Sequence, residues 1–174
     1  MTEILTRADV KTLDVDILDP GDADEAALII EKYEEQVPYG FRSPFDLVQS
    51  FHRKFGIPCY SAPAMLQGDA ADFRVRFMQE ELDEYKKAVA EGDLEGAYDA
   101  LIDLVYVALG TADMHGFRNF DAAFFLVHQA NMRKQRVRKA SESKRGSTYD
   151  VVKPHGWKPP LVRVALEKLM GLWR

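Results

Sequence analysis

The chain has 174 residues, 47% of them apolar and 29% charged, with a net charge of -5. That composition suits one folded domain with a short extension at either end, and argues against global disorder. A single cysteine, Cys59, excludes an intrachain disulfide and points to a reducing compartment.

Residues 1–22 show little helical periodicity. Residues 12–18 alternate weakly, and Asp19-Pro20-Gly21-Asp22 reads as a turn. Asp24 is placed to cap a helix running to about Gln36, stopped by Pro38 and Gly40. Residues 1–42 are therefore an arm and a helix. Ser43-Pro44 starts the next helix, with an apolar stripe of Phe45, Val48, Phe51 and Phe55, and Gly56-Ile57-Pro58 ends it. Residues 57–68 form a loop. Asp69 or Asp72 opens a long helix to about Glu91, with Phe73, Phe77, Leu82, Tyr85 and Val89 on its apolar side. Gly92-Asp93 breaks it. The following helix spans about Leu94 to His115 and closes at Gly116. Asp121 caps another, Ala122 to about Arg136. Residues 137–160 form a polar arm, and residues 161–174 carry a final amphipathic helix, Leu161 to Trp173. Strands are scarce, so the expected fold is an all-α antiparallel helical bundle.

Charge is unevenly spread. From Asn131 to Lys158 there are nine Lys or Arg against two acids, a net +7, which leaves -12 for the rest. A triphosphate needs both signs: cations for its oxygens, acids for a bridging metal.

Asp103 sits in the apolar run from Ala100 to Leu109. A helix so apolar on every side should be buried on most faces. A carboxylate there is costly unless paired or bound to metal. Asp99 shares its face one turn earlier. On the preceding helix Glu81 and Glu84 share a face, as do Glu80 and Glu84. If the two helices pack antiparallel, one of these pairs meets Asp99 and Asp103. Oxygen donors of this kind favour Mg²⁺ or Mn²⁺. The plainer reading makes the glutamates a solvated face and Asp103 a structural carboxylate.

These residues resemble a family. Glu80-Glu81-Leu82-Asp83-Glu84, followed by Asp99-Ala100-Leu101-Ile102-Asp103-Leu104-Val105-Tyr106-Val107 and Gly110-Thr111-Ala112, is similar to the acidic signature of the MazG-like all-α nucleoside triphosphate pyrophosphohydrolases. These include dimeric dUTPases and phosphoribosyl-ATP pyrophosphohydrolase. The family pattern is Glu-x-x-Glu, then Glu-x-x-Asp. Glu81, Glu84 and Asp103 match; position 100 is Ala, and Asp99 takes the missing role. Phe51 to Pro58, His128 to Lys134, Ser143 to Gly146 and Asp150 to Trp157 resemble further segments seen in phage and bacterial members. The resemblance covers about residues 45–160, the expected catalytic domain being 43–160.

The resemblance implies Mg²⁺ (or Mn²⁺) held by Glu81, Glu84, Asp99 and Asp103, with Glu80 or Glu81 as general base. His52, Tyr106, Asn131, Lys134, Lys144, Arg145 and Lys153 would contact the nucleotide, although packing is the simpler role for His52. The expected reaction is hydrolysis of a (deoxy)nucleoside triphosphate, with a purine dNTP as one candidate, to monophosphate and pyrophosphate. Phosphoribosyl-ATP is an alternative substrate. A non-catalytic nucleic-acid binder using the +7 segment is a third reading, which the overall acidity opposes. Family members complete a four-helix core from two chains, so a homodimer or homotetramer is expected. No apolar run reaches the roughly 18 residues of a membrane span, and the chain reads as cytoplasmic. The four histidines show no metal-type spacing, and Cys59 has no His-based triad near it in sequence.

Overall fold

The computed structural model describes residues 43–172 together with Asp24, Ala27, Leu28 and Glu31. Those four residues are helical; the remainder of the expected 1–42 arm and helix, and Trp173, lie outside the described residues.

Helix α1 (Pro44–Phe55) starts as its sequence predicts. The Ser43 hydroxyl accepts from the Asp46 N–H at 3.2 Å, and the Asp46 carboxylate accepts from the Ser43 N–H at 3.0 Å. This reciprocal pair satisfies two of the donors that a helix start leaves open. Gly56, at φ 64°, turns the chain out of the helix.

Helices α2 (Gly68–Glu91) and α3 (Leu94–Met114) form the long hairpin. Gly92, at φ 71°, ends α2, and the Asp93 side chain accepts from the Gly96 N–H at 3.0 Å to start α3. A connection this short forces antiparallel packing. The register follows. A Cβ at Gly96 would sit 3.4 Å from that of Ala88. Further from the turn, Arg74 donates from Nη2 to the Val107 carbonyl (2.5 Å) and from Nε to Thr111 Oγ1 (3.0 Å).

Helix α1 lies along the C-terminal half of α3. The Phe51 ring meets Tyr106 edge-on at 5.7 Å, and Gln49 Nε2 donates to Asp113 Oδ1 at 2.9 Å. The 57–67 loop is tied to the end of α3: Tyr60 N–H donates to the Met114 carbonyl and Ala64 N–H to that of His115. Gly116, at φ 74°, passes so close that a Cβ would lie 2.6 Å from the Ala62 carbonyl oxygen.

Helix α4 (Phe120–Met132) packs with α5 (Val162–Leu169) around a small apolar core of Ala27, Ala122, Leu126, Val164 and Ala165. Phe45 stacks on Phe120 at 5.4 Å and so links this core to α1. Between α4 and α5 the arm carries a two-stranded antiparallel ladder, β1 (Gln135–Arg136) and β2 (Val151–Val152), with Gln135 opposite Val152. Trp157 anchors the arm by donating from Nε1 to the Ala130 carbonyl at 2.8 Å. The structure is thus all-α apart from this ladder, and among the described residues no helix is long and apolar enough to cross a membrane.

Four expectations need correcting. The last helix, expected to run from Leu161 to Trp173, spans Val162–Leu169 and gives way to a turn at Gly171, φ 67°. Helix α4 begins at Phe120, with Asn119 at φ 48° before it, so Asp121 is in the first turn and is not the cap. It ends at Met132, because Gln135 and Arg136 leave the helix to pair with β2. Helix α3 is not buried on most faces: Leu94, Tyr98, Leu101, Ile102 and Val105 are exposed, Val105 to 55%. Helices α1 and α2 cover one side of it and leave an apolar flank open.

Candidate active site

The hairpin register brings the acids together. Glu81 faces inward from α2 and is 7% exposed. Burial pushes its carboxyl above the usual glutamate range, and the charges of Asp103, Glu84, Glu80 and Asp99 push it further the same way. Asp103, four residues beyond Asp99 on the same α3 face, is its strongest charged neighbour. The charges of these acids reach Glu81, which is the buried one among them. Asp103 is exposed, contrary to expectation, because the flank of α3 around it is open.

Among the described residues no ion pair reaches any of these five carboxylates. A buried acid with other acids near it, all hard oxygen donors, fits a divalent cation. The acids do not form a closed ligand shell, since no three of their donor oxygens come within 4.8 Å of one another.

Next to the acids on α3, Tyr106 continues the stripe of Asp99 and Asp103 and joins Phe51 and Phe55 in an aromatic group. Phe51 and Phe55 lie 4.6 Å apart, and all three are partly exposed. The basic residues gather elsewhere. Lys134, Lys144, Arg145 and Lys153 line one cleft of about 520 Å³ beside β2. Its shape depends on Asp150, which accepts from Ser143 Oγ (2.6 Å), Arg145 Nη1 (2.7 Å) and the Val151 N–H (2.8 Å). Lys153 also sits over the Trp157 ring at 4.4 Å. Asn131 is exposed at the end of α4, where its carbonyl accepts from the Lys134 N–H.

His52 turns away from solvent and lies 4% exposed at the other end of the α3 stripe. Its Nδ1 is 2.8 Å from Asp113 Oδ2. Asp113 is ten residues beyond Asp103, or about 15 Å along the helix. Gln49, Cys59 and Arg118 complete its shell, the last through an ion pair to Oδ1. Burial alone would raise the Asp113 carboxyl; the hydrogen bonds from Gln49, Cys59 and His52 and the charge of Arg118 outweigh it and hold the carboxyl below the usual range. Sequence reading missed this group, because its members are 54 and 61 residues apart in the chain. The polar Asp113 after the small residues Gly110, Thr111 and Ala112 was the one available signal.

A family model described as phosphoribosyl-ATP pyrophosphohydrolase matches residues 48–131, from α1 into α4, and over that span the chain is similar to the all-α nucleotide pyrophosphohydrolases. No curated protein matches the chain.

Proposed function

We propose that the protein hydrolyses a (deoxy)nucleoside triphosphate to monophosphate and pyrophosphate with Mg²⁺, or Mn²⁺ in its place. The observation that carries this reading is the buried Glu81 carboxyl surrounded by Asp103, Glu84, Glu80 and Asp99. Glu81, Glu84, Asp99 and Asp103 would hold the cation. When bound, it neutralises charge on the phosphate oxygens and favours a water nucleophile. Glu80 or Glu81 takes the proton of the attacking water.

Lys134, Lys144, Arg145 and Lys153 bind the β- and γ-phosphates as charge clamps, and Asn131 offers both a donor and an acceptor to sugar or phosphate. Phe51, Phe55 and Tyr106 offer ring faces to the base. His52, locked to Asp113, orients α1 beside them. The open flank of α3, with Leu101, Ile102 and Val105, docks a second copy and completes a four-helix core, giving a homodimer or a homotetramer built from it. Residues 43–160 act as the catalytic domain, 1–42 and 161–174 as appended segments.

The name of the matched family favours phosphoribosyl-ATP as a second reading, and the same acids would serve it. The test is purified protein with Mg²⁺, each (d)NTP and phosphoribosyl-ATP, with the products resolved by chromatography. Release of monophosphate and pyrophosphate from a (d)NTP, lost in Asp103→Asn and Glu84→Gln, is expected. Turnover of phosphoribosyl-ATP alone would transfer the assignment to the second reading, and no turnover of either substrate would end both.

A further inference from the structure

We infer that His52, Cys59 and Asp113 form a second metal site, for a zinc-class ion and not for magnesium. The three donors come from α1, the 57–67 loop and the end of α3. Sγ of Cys59 lies 3.4 Å from His52 Nδ1 and 3.2 Å from Asp113 Oδ2, and those two atoms are 2.8 Å apart. Among the described residues this is the group of three ligand-type side chains whose donor atoms all lie within 4.8 Å of one another. A tetrahedral zinc ion at ordinary bond lengths sets its nitrogen, sulfur and oxygen ligands about 3.3–3.6 Å apart. The triangle needs to open by no more than roughly 0.6 Å to accept the ion.

The surroundings suit ligation. Gln49 and Arg118 occupy Oδ1 of Asp113, leaving Oδ2 as the oxygen that faces His52 and Cys59. Outer hydrogen bonds of this kind fix the orientation of a ligating carboxylate. The site has a way in: His52, Cys59, Asp113 and Arg118 line a cavity of about 540 Å³. A fourth position can open onto that cavity and hold water or a small ligand. Two cations oppose the ion: Arg118, paired with Asp113 and 39% exposed, so that solvent screens it, and the buried Arg74, whose charge also reaches Cys59.

The same geometry rules out a nucleophilic triad. Cys59 and Asp113 address the same imidazole nitrogen, Nδ1, whereas a triad needs one partner on each. Without metal the thiol is held protonated: burial and then the hydrogen bond and charge of Asp113 push it up to about 11. Binding the ion displaces the thiol proton to solvent, moves the imidazole N–H from Nδ1 to Nε2, and leaves sulfur and nitrogen lone pairs to the metal. A thiolate, imidazole and single carboxylate select zinc or cobalt over magnesium.

The test is titration of the full-length, metal-stripped protein with Co²⁺, followed by absorbance. One equivalent should produce thiolate-to-cobalt charge-transfer absorption, displaced by Zn²⁺ and unaffected by Mg²⁺. Because Cys59 is the sole cysteine, that band reports this site alone. It should vanish in Cys59→Ser, weaken about tenfold or more in affinity in His52→Gln, and persist in Asp103→Asn, which disables only the acidic cluster. Zn²⁺ should also slow alkylation of Cys59 in the folded wild type by about tenfold. Absence of the band at saturating Co²⁺, unaltered alkylation, or loss of the band in Asp103→Asn would each overturn the site, whatever the protein does to nucleotides.

Discussion

Replacing Asp113 with Ala is the sharpest test of how α1, the 57–67 loop and α3 are held together. The side chain is 3% exposed and accepts from four groups. Its loss strands the buried His52 Nδ1 at about 1–3 kcal/mol and the half-buried Gln49 Nε2, which lines the cavity, at about 1 kcal/mol. Cys59 adds little, because S–H is a weak donor. Arg118 is partly exposed and turns to solvent, so its ion pair contributes at most about 1 kcal/mol. The expected cost in metal-free protein is therefore about 2–4 kcal/mol, most of it from the stranded donors. Arg118→Ala, which removes only the exposed partner, should cost less than about 1 kcal/mol. Urea unfolding followed by far-ultraviolet circular dichroism measures both, with the slope checked for a constant unfolded state. An Asp113→Ala cost below about 1 kcal/mol, or equal costs for the two variants, would show that the buried network is not what ties these elements together.

Three further outcomes are expected. Asp103→Asn should lower kcat/KM for the nucleotide substrate by about 100-fold or more while leaving the thermal midpoint within a few degrees, because its side chain is exposed; steady-state kinetics beside a thermal melt separates the two effects. Lys144→Ala and Lys153→Ala should each raise KM by about 3–10-fold with a smaller change in kcat, and a fall in kcat with KM unchanged would remove them from substrate binding. The Asp150 carboxyl is held below the ordinary carboxylate range, first by the Ser143 hydrogen bond and then by the Val151 N–H and Arg145, against a smaller opposing effect of burial. A depressed folded pKa means its contribution is fully present above the unfolded value of about 3.9 and is lost as pH falls through the lower folded value. Carbon-detected NMR titration should show that midpoint below 3.9, and a midpoint at or above it would refute the assignment.

The hairpin and its caps were legible because they depend on neighbours in sequence. Ser43-Pro44, Gly92-Asp93 and Gly116 each act within a few residues, and each lies at or beside the expected break. The acidic cluster was legible too, since helical periodicity and one short turn suffice to bring Glu81 and Asp103 to one place. Which acid would be buried was not, because that depends on which flank of α3 is covered. The end of α4 was misjudged at Gln135 and Arg136 because their pairing partners are some sixteen residues away. His52 looked like a packing residue and Cys59 like an isolated thiol. Their meeting with Asp113 arises only when α1 folds back over the C-terminal half of α3.

The short turn at Gly92 has a further consequence. Glu81 lies eleven residues before that glycine and Asp103 eleven after it, so the two arms of the hairpin are measured from a common origin. Each residue added to an α-helix rotates everything beyond it by about 100° and advances it 1.5 Å. One inserted or deleted residue between positions 82 and 102 would swing one carboxylate out of the cluster with every side chain still present. The intervals on either side of the turn should tolerate exchange of residue type far better than change of length.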